Sequence, residues 1–336
     1  MNIRQFVFVL AGFLVSAVFM GFAFYELQPQ IVWETIQQAN LLWLLLGAGG
    51  YFGAVTLITL RWQFLLRAVQ VVPLRHLIPL VCIGYMGNNV YPFRSGEALR
   101  IWLLQRNHGV PIFRATTTVI VERAFDGLVM LTFIVVPLAL LNVVSPEIRA
   151  VASFAAPIFL IALSVFFALA AKPNLFRRIV AQVTRLLPDR AGQVVRSLSE
   201  EVIQGLEALR SPKYLAGAVL SSYASWSIEA GVYWIVTWAF DLNISYWEIL
   251  IVVGTVNLAG LIPTSPGQIG VYEFFVSLSM AALGVPQNQA LGYALVVHVV
   301  IWLPVTVVGF VFLAAQGLGF GAITRAQSLK TSDQSL

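Results

Sequence analysis

The chain has 336 residues, is 59% hydrophobic and only 10% charged, and carries a net charge of +5. A soluble globular protein carries about 25% charged residues, so this composition excludes an ordinary water-soluble domain and calls for lipid as the solvent. The positive charge is unevenly spread and reads as loop bias rather than a nucleic-acid surface, while the single Cys82 rules out an intrachain disulfide.

In chain order, Arg4 precedes an apolar run from Gln5 to Tyr25. That run is longer than a signal-peptide core and has no convincing small-residue cleavage site, so it predicts an uncleaved first membrane helix. Full spans are expected near 5–25, 41–60, 116–141, 150–171, 214–241 and 289–316. The glycines from Gly47 to Gly53 lie inside an apolar span and read as close helix packing, not nucleotide binding. From Phe274 to Thr324, 51 residues pass without an Asp, Glu, Lys or Arg, more than twice the ~20 needed to cross the hydrocarbon core.

Two shorter helical pieces, 77–91 and 246–262, each run into a helix-breaking segment. The first contains Pro92-Phe93-Arg94-Ser95-Gly96 and the second Pro263-Thr264-Ser265-Pro266-Gly267, so both share Pro-x-x-x-Gly. Each break is followed by another short piece, 96–108 or 268–283, and then by a second shared string. That string is Gly109-Val110-Pro111 with Ala115 in one half, and Gly284-Val285-Pro286 with Ala290 in the other. Pieces of 13–17 residues only marginally cover the ~30 Å core, so half-depth pairs that enter and leave on one side fit better. Duplicated Gly/Pro-broken segments point to the substrate site of a transporter.

Charge bias sets the expected orientation. Glu26 and Glu34 flank an outer loop, whereas Arg61, Arg67 and Arg75 follow the second span on the inside. Arg94, Arg100, Arg106 and Arg114 also fall inside, so the first broken pair opens inward. The basic stretch 172–213 is the largest cytoplasmic loop and reads as a surface amphipathic helix or a solvated connector. Carried through, the second pair opens outward and the halves are inverted. The fold class expected is therefore an all-α integral membrane protein with an inverted structural repeat, about six full spans and two re-entrant helical hairpins. One membrane domain is expected over 1–316, with repeat halves at 41–141 and 214–316, a cytoplasmic tail at 317–336 and no soluble domain behind it. Both termini are expected on the cytoplasmic side of the cell membrane.

Charges held in lipid are costly, about 2.5–3.5 kcal/mol at the centre on insertion scales. Glu122 and Asp126 are four apart and share one face of the span 116–141, with Arg123 about 100° round. Glu229 sits mid-span in 214–241, and Glu97 and Glu273 follow the two breaks. Arg123 and His298 occupy equivalent positions, each eight residues past the shared alanine. Arg94, Arg100 and Arg123 are the candidates to hold a lipid phosphate, since guanidinium forks suit it. The N-termini of the half-helices after Gly96 and Gly267 would add donors. Glu97, Glu122, Asp126, Glu229 and Glu273 would balance the cations, bind a cationic headgroup or relay protons. The bland readings are an ion-pair network tying helices together for Glu122, Arg123 and Asp126, interface anchors for Arg94 and Arg100, and a packed core histidine for His298. Asn88 and Asn89 are expected to satisfy broken backbone, and Trp226, Trp234, Trp238, Trp247 and Trp302 to serve mostly as interfacial belt and packing.

The strings Gly87 to Arg100, Val121-Glu122-Arg123-Ala124-Phe125-Asp126-Gly127 and Pro263 to Glu273 carry a further signal. Through them the chain resembles the lysylphosphatidylglycerol synthase transmembrane (flippase-like) family, from about residue 10 to 316. Some members carry a cytosolic aminoacyl-transfer domain and move the loaded lipid between leaflets; others are the membrane half alone. The resemblance implies translocation of a phosphate-bearing lipid, a phospholipid or a polyprenyl-phosphate-linked sugar. Gln268-Ile269 departs from the family, where a second glycine is common. No enzyme activity, metal or cofactor is expected: the three histidines lack ligand spacing and no Gly-rich ATP loop is present. The rival readings are a membrane-embedded lipid-modifying transferase and a non-transporting assembly partner of an envelope-biosynthesis enzyme. The partners expected are an anionic lipid, with protons as a candidate co-substrate, and no nucleic acid.

Overall fold

The computed structural model describes residues 3–24, 29–67, 69–91, 95–140, 172–185, 210–260, 262 and 264–318, with scattered positions between 157 and 203. The described residues form eleven α-helices. They are α1 (Ile3–Phe24), α2 (Pro29–Gln37), α3 (Leu41–Leu66), α4 (Leu74–Val90), α5 (Ser95–His108), α6 (Ile112–Leu140), α7 (Pro173–Thr184), α8 (Pro212–Ala239), α9 (Tyr246–Ala259), α10 (Val271–Ala282) and α11 (Gln287–Ala315), with a 3₁₀ turn at Pro266–Gln268. The expected span at 150–171 and the tail at 317–336 lie almost wholly outside the described residues.

Eight of these helices fall into two length classes. Helices α3, α6, α8 and α11 have 26, 29, 28 and 29 residues, about 39–44 Å at 1.5 Å per residue. Helices α4, α5, α9 and α10 have 17, 14, 14 and 12, about 18–26 Å and short of a ~30 Å core. Of the described helices, α3 and α11 are long and apolar enough to cross a membrane by length and composition alone. Large apolar side chains on α1, α3, α8 and α11, among them Leu14, Leu41, Leu220 and Val311, lie exposed on the outer surface. That is the face a lipid-embedded bundle turns outward. The sequence did not suggest α2, a short helix that buries Val32 against α1 and α11.

The shared strings are helix punctuation. Gly109 and Gly284 follow α5 and α10 with φ of 70° and 91°, the left-handed conformation that ends a helix at low cost for glycine. The Val-Pro that follows each glycine starts α6 or α11, because proline presets the backbone and needs no donor. At the first break Tyr91 is extended, with φ −110° and ψ 148°, as expected for a residue before proline. α9 opens on a capping box, Ser245 with Glu248.

Helix pairing is reciprocal between the halves. α3 packs along α8, and the glycines Gly47, Gly50 and Gly53 meet Val232, Val236 and Ile228 of α8. α4 packs on α5 and on α11; its counterpart α9 packs on α10 and on α6. The correspondence extends to single residues. Gly254 of α9 lies against Ile134 of α6. The alignment that superposes the breaks pairs Gly254 with Ile83, and the alignment of the shared alanines pairs Ile134 with Gly309. Gly309 lies against Cys82 and Met86, the residues flanking Ile83 on the same stretch of α4.

Candidate functional site

Four helices converge on a buried charge cluster. Arg61 of α3 is 1% exposed and donates from Nη1 to Asp126 Oδ1 at 2.5 Å. Its Nε lies 3.5 Å from Glu122 Oε1. Arg100 of α5 donates from Nη2 to Glu122 Oε2 at 2.5 Å, and its guanidinium sits 4.7 Å from the ring centre of Trp62. Trp226 of α8 donates from its indole nitrogen to Asp126 Oδ1 at 2.7 Å. Trp62 donates its own to Thr118 Oγ1 at 3.0 Å. Glu122 and Asp126 both face inward from α6 because they are four apart. Ion pairs this dry hold together only when both partners are in place.

The cluster has an open edge. Arg123 is one step round α6, and its side chain is 41% exposed. It reaches Asp126 Oδ2 at 3.2 Å and Glu97 Oε1 at 3.7 Å. Glu97, in the first turn of α5 just past the break, is 25% exposed. The inner pairs therefore tie helices together, as the bland reading expected, whereas the Arg123 edge keeps an accessible cation beside a broken helix. Within reach of the same cluster, Glu229 of α8 is 6% exposed and makes no hydrogen bond or ion pair among the described residues.

The two breaks meet. Asn89, at the end of α4, donates to Thr306 Oγ1 at 2.8 Å and to the Trp302 carbonyl at 3.4 Å, both on α11. Its carbonyl comes so close to Gly267 of the 3₁₀ turn that a Cβ there would lie 3.3 Å away and would meet the Trp302 indole nitrogen at 2.7 Å. Gly267 has φ 70°, so both backbone and space require glycine. Tyr91 Oη and Ser95 Oγ at the first break and Trp302 Nε1 at the second are buried with no hydrogen-bond partner among the described residues. Such groups are uncommon in a folded protein.

One backbone donor at each break has a side-chain partner. Asn88 Oδ1 accepts from the Gly96 N–H at 3.0 Å, and Glu273 Oε2 accepts from the Gly270 N–H at 2.6 Å. The protein itself thus engages one backbone donor at the start of each half-helix. Asn88 does bridge broken backbone as expected. In the second half, Glu273 Oε1 is 2.6 Å from His298 Nδ1. The Tyr272 ring stacks on His298 at 4.1 Å, and the Tyr272 hydroxyl donates to that of Tyr233 at 2.5 Å. Both halves thus set an acid from just past the break against the base eight residues past the shared alanine: Glu97 with Arg123, and Glu273 with His298. His298 is 8% exposed and hydrogen-bonded within the packed core, in line with the bland reading.

Of the residues singled out in the sequence, Glu97, Arg100, Glu122, Arg123 and Asp126 come together, Glu229 lies beside them, and Glu273 pairs with His298. Gly96, Pro266 and Gly267 sit at the meeting breaks; Arg94, Pro92 and Pro263 lie outside the described residues. Arg61 was read as a loop cation after a span ending at 60, but α3 runs on to Leu66 and buries it. Trp226 was assigned to belt and packing, yet it holds Asp126. No set of three His, Cys, Asp or Glu side chains that could hold a metal gathers among the described residues.

The sequence matches the family described as the lysylphosphatidylglycerol synthase TM region over residues 9–309. It is similar to glycosyltransferase AglD of Haloferax volcanii, 26% identical over 329 residues, 89% of this chain and 53% of that protein. The chain therefore spans about half the length of that relative. It is also similar to two UPF0104 membrane proteins of Methanothermobacter thermautotrophicus. One is 25% identical over 276 residues, 76% of this chain and 80% of the relative; the other is 24% identical over 279 residues, 78% and 80%.

Proposed function

Because the chain belongs to the lysylphosphatidylglycerol synthase TM-region family, we propose that it moves a phosphate-bearing lipid, a phospholipid or a polyprenyl-phosphate-linked sugar, between the leaflets of the bilayer. The observation that carries this reading is the half-open charge cluster beside the broken helices. Arg123 presents an exposed guanidinium within 3.7 Å of Glu97, on a scaffold of fully buried ion pairs. A lipid phosphate would take the place of both Glu97 and Asp126 on Arg123 through charge-assisted bonds. The unpartnered Tyr91, Ser95 and Trp302 donors would receive its oxygens as it passes the junction of the breaks. The acyl chains would stay in lipid against the apolar outer face.

In this reading the short helices are re-entrant pairs and the halves are inverted, as opposed half-depth hairpins require. Support comes from the helix lengths, the swapped packing of α4 on α11 and α9 on α6, and the matched acid–base pairs. The Glu273–His298 pair would meet the headgroup when access is from the opposite side.

The test is leaflet translocation of fluorescent phosphatidylglycerol in proteoliposomes of the purified full chain. Losing one charge-assisted contact of roughly 1.5–3 kcal/mol should slow Arg123→Ala by about tenfold to a hundredfold, with the protein still folded. A wild-type rate in Arg123→Ala would remove Arg123 from the site, and no translocation by wild type would sink the function. A second reading, a membrane-embedded lipid-modifying transferase, draws on the name of the Haloferax relative. It predicts conversion of a labelled lipid donor to product by the purified chain.

A further inference from the structure

The geometry points to Glu229 as a proton-binding site thermodynamically linked to entry of an anionic headgroup, so that the protein carries protons as well as lipid. This inference rests on the translocation reading above. It begins with a charge count. Three guanidiniums, those of Arg61, Arg100 and Arg123, contact three carboxylates, those of Glu97, Glu122 and Asp126. The cluster is balanced without Glu229. An ionised Glu229 would be a fourth negative charge, 6% exposed and without an ion-pair or hydrogen-bond partner among the described residues. An isolated buried carboxylate is far more costly than the neutral acid.

Among the described residues its surroundings supply no uncommitted cation. Tyr51 of α3, Tyr85 of α4, Tyr233 of α8 itself and Tyr272 of α10 lie within electrostatic reach of Glu229, and Asp126 of α6 adds a like charge. α9, also packed on α8, brings Tyr246, whose hydroxyl is committed to the Ser227 carbonyl, and Glu248, committed to its own helix cap. α11 brings His298, committed to Glu273, and Tyr293, committed to the Tyr233 carbonyl. The cationic Arg61 and Arg123 are held by Asp126.

Linkage follows from these positions. A headgroup phosphate that takes Arg123 from Asp126 adds one negative charge and leaves Asp126 with one cation fewer, both near Glu229. The headgroup is then admitted only with Glu229 in the acid form, and by reciprocity its binding draws a proton onto Glu229. The proton enters on a Glu229 carboxyl oxygen as the headgroup binds and leaves as it departs. The moved species are one proton and one anionic headgroup, with no net charge.

Two measurements on the purified full chain decide the matter. Infrared difference spectra between alkaline and mildly acid pH should show a protonated-carboxyl band that is lost in Glu229→Gln and shifted in Glu229→Asp. An unchanged band in Glu229→Gln overturns the proton site, whatever the lipid result. In phosphatidylcholine vesicles, translocation of fluorescent phosphatidylglycerol by wild type should speed up several-fold under an imposed pH gradient. Glu229→Gln should lose that gradient response, and Glu229→Asp should keep it. A wild-type rate indifferent to the gradient overturns the linkage. If wild type moves no lipid while the band is lost in Glu229→Gln, the translocation reading falls and the proton site stands.

Discussion

Arg61 and Arg123 show how differently two arginines of one cluster behave. Arg61 is enclosed, with both of its carboxylate partners on α6. Removing one partner of a buried pair leaves an uncompensated charge, at a cost of about 3–5 kcal/mol. Arg61→Ala should therefore lower the thermal midpoint in detergent markedly, and Arg61→Lys should also fail, because one ammonium cannot span Glu122 and Asp126 as a fork does. Arg123→Ala should leave that midpoint within a few degrees, since an exposed pair contributes only ~0–1 kcal/mol. A shared loss of stability in both would contradict the division into a holding core and an open edge. The candidates Glu122, Asp126 and Glu229 were legible in the sequence because charges deep in apolar spans are rare. Arg61 was not, because a cation at the end of a span looks like an interfacial anchor until the helix is seen to continue. Away from the bundle, the Arg177 guanidinium holds Glu200 below its usual carboxylate range through paired 2.8 Å bonds. A lowered carboxylate contributes stability above its unfolded value and loses it as pH falls through the folded one. This pair is exposed, so Glu200→Gln should change the acid unfolding profile very little.

Among elements, the broken pairs depend on close backbone approach. A Cβ on Gly96 would lie 1.8 Å from the Gly84 carbonyl, and one on Gly270 2.2 Å from the Ser16 carbonyl of α1. Ser16 also bonds Ser265, 2.8 Å between hydroxyls, so α1 closes over the second break. Gly96→Ala should split α4 from α5 and abolish translocation, with faster proteolysis between residues 90 and 95 as the readout; an intact, active Gly96→Ala would refute the close pairing. The breaks were readable as Pro-x-x-x-Gly because proline and glycine interrupt helices by known mechanisms. What they touch was not readable: the contact of Asn89 with Thr306 crosses 217 positions of sequence and leaves no local pattern.

For the whole molecule, orientation is the issue. With opposed hairpins, the end of α5 and the start of α11 face opposite sides of the membrane. In a Cys82→Ser background, Asn107→Cys should react with a membrane-impermeant thiol reagent only from the cytoplasm, and Gln287→Cys only from outside. Both positions are exposed. Labelling of both from one side would end the inverted arrangement. Membrane character was evident in the sequence from composition, and the repeated strings are the signal from which two halves were expected. The extra helix α2 escaped notice because its apolar stripe is short and its end is marked only by polar residues.

The exchange of partners, α4 on α11 and α9 on α6, has an implication for origin. A solitary half would leave the flanks of its own short and long helices uncovered. It would be complete only against a second copy; in the inverted arrangement proposed above that copy lies upside down, and the simplest ancestor is then a small protein that entered membranes in either direction and paired with its mirror-facing sibling. Joining the two genes would have fixed the ratio and the directions at once. It would also have let each copy drift alone, which accounts for an arginine on one side standing where a histidine stands on the other.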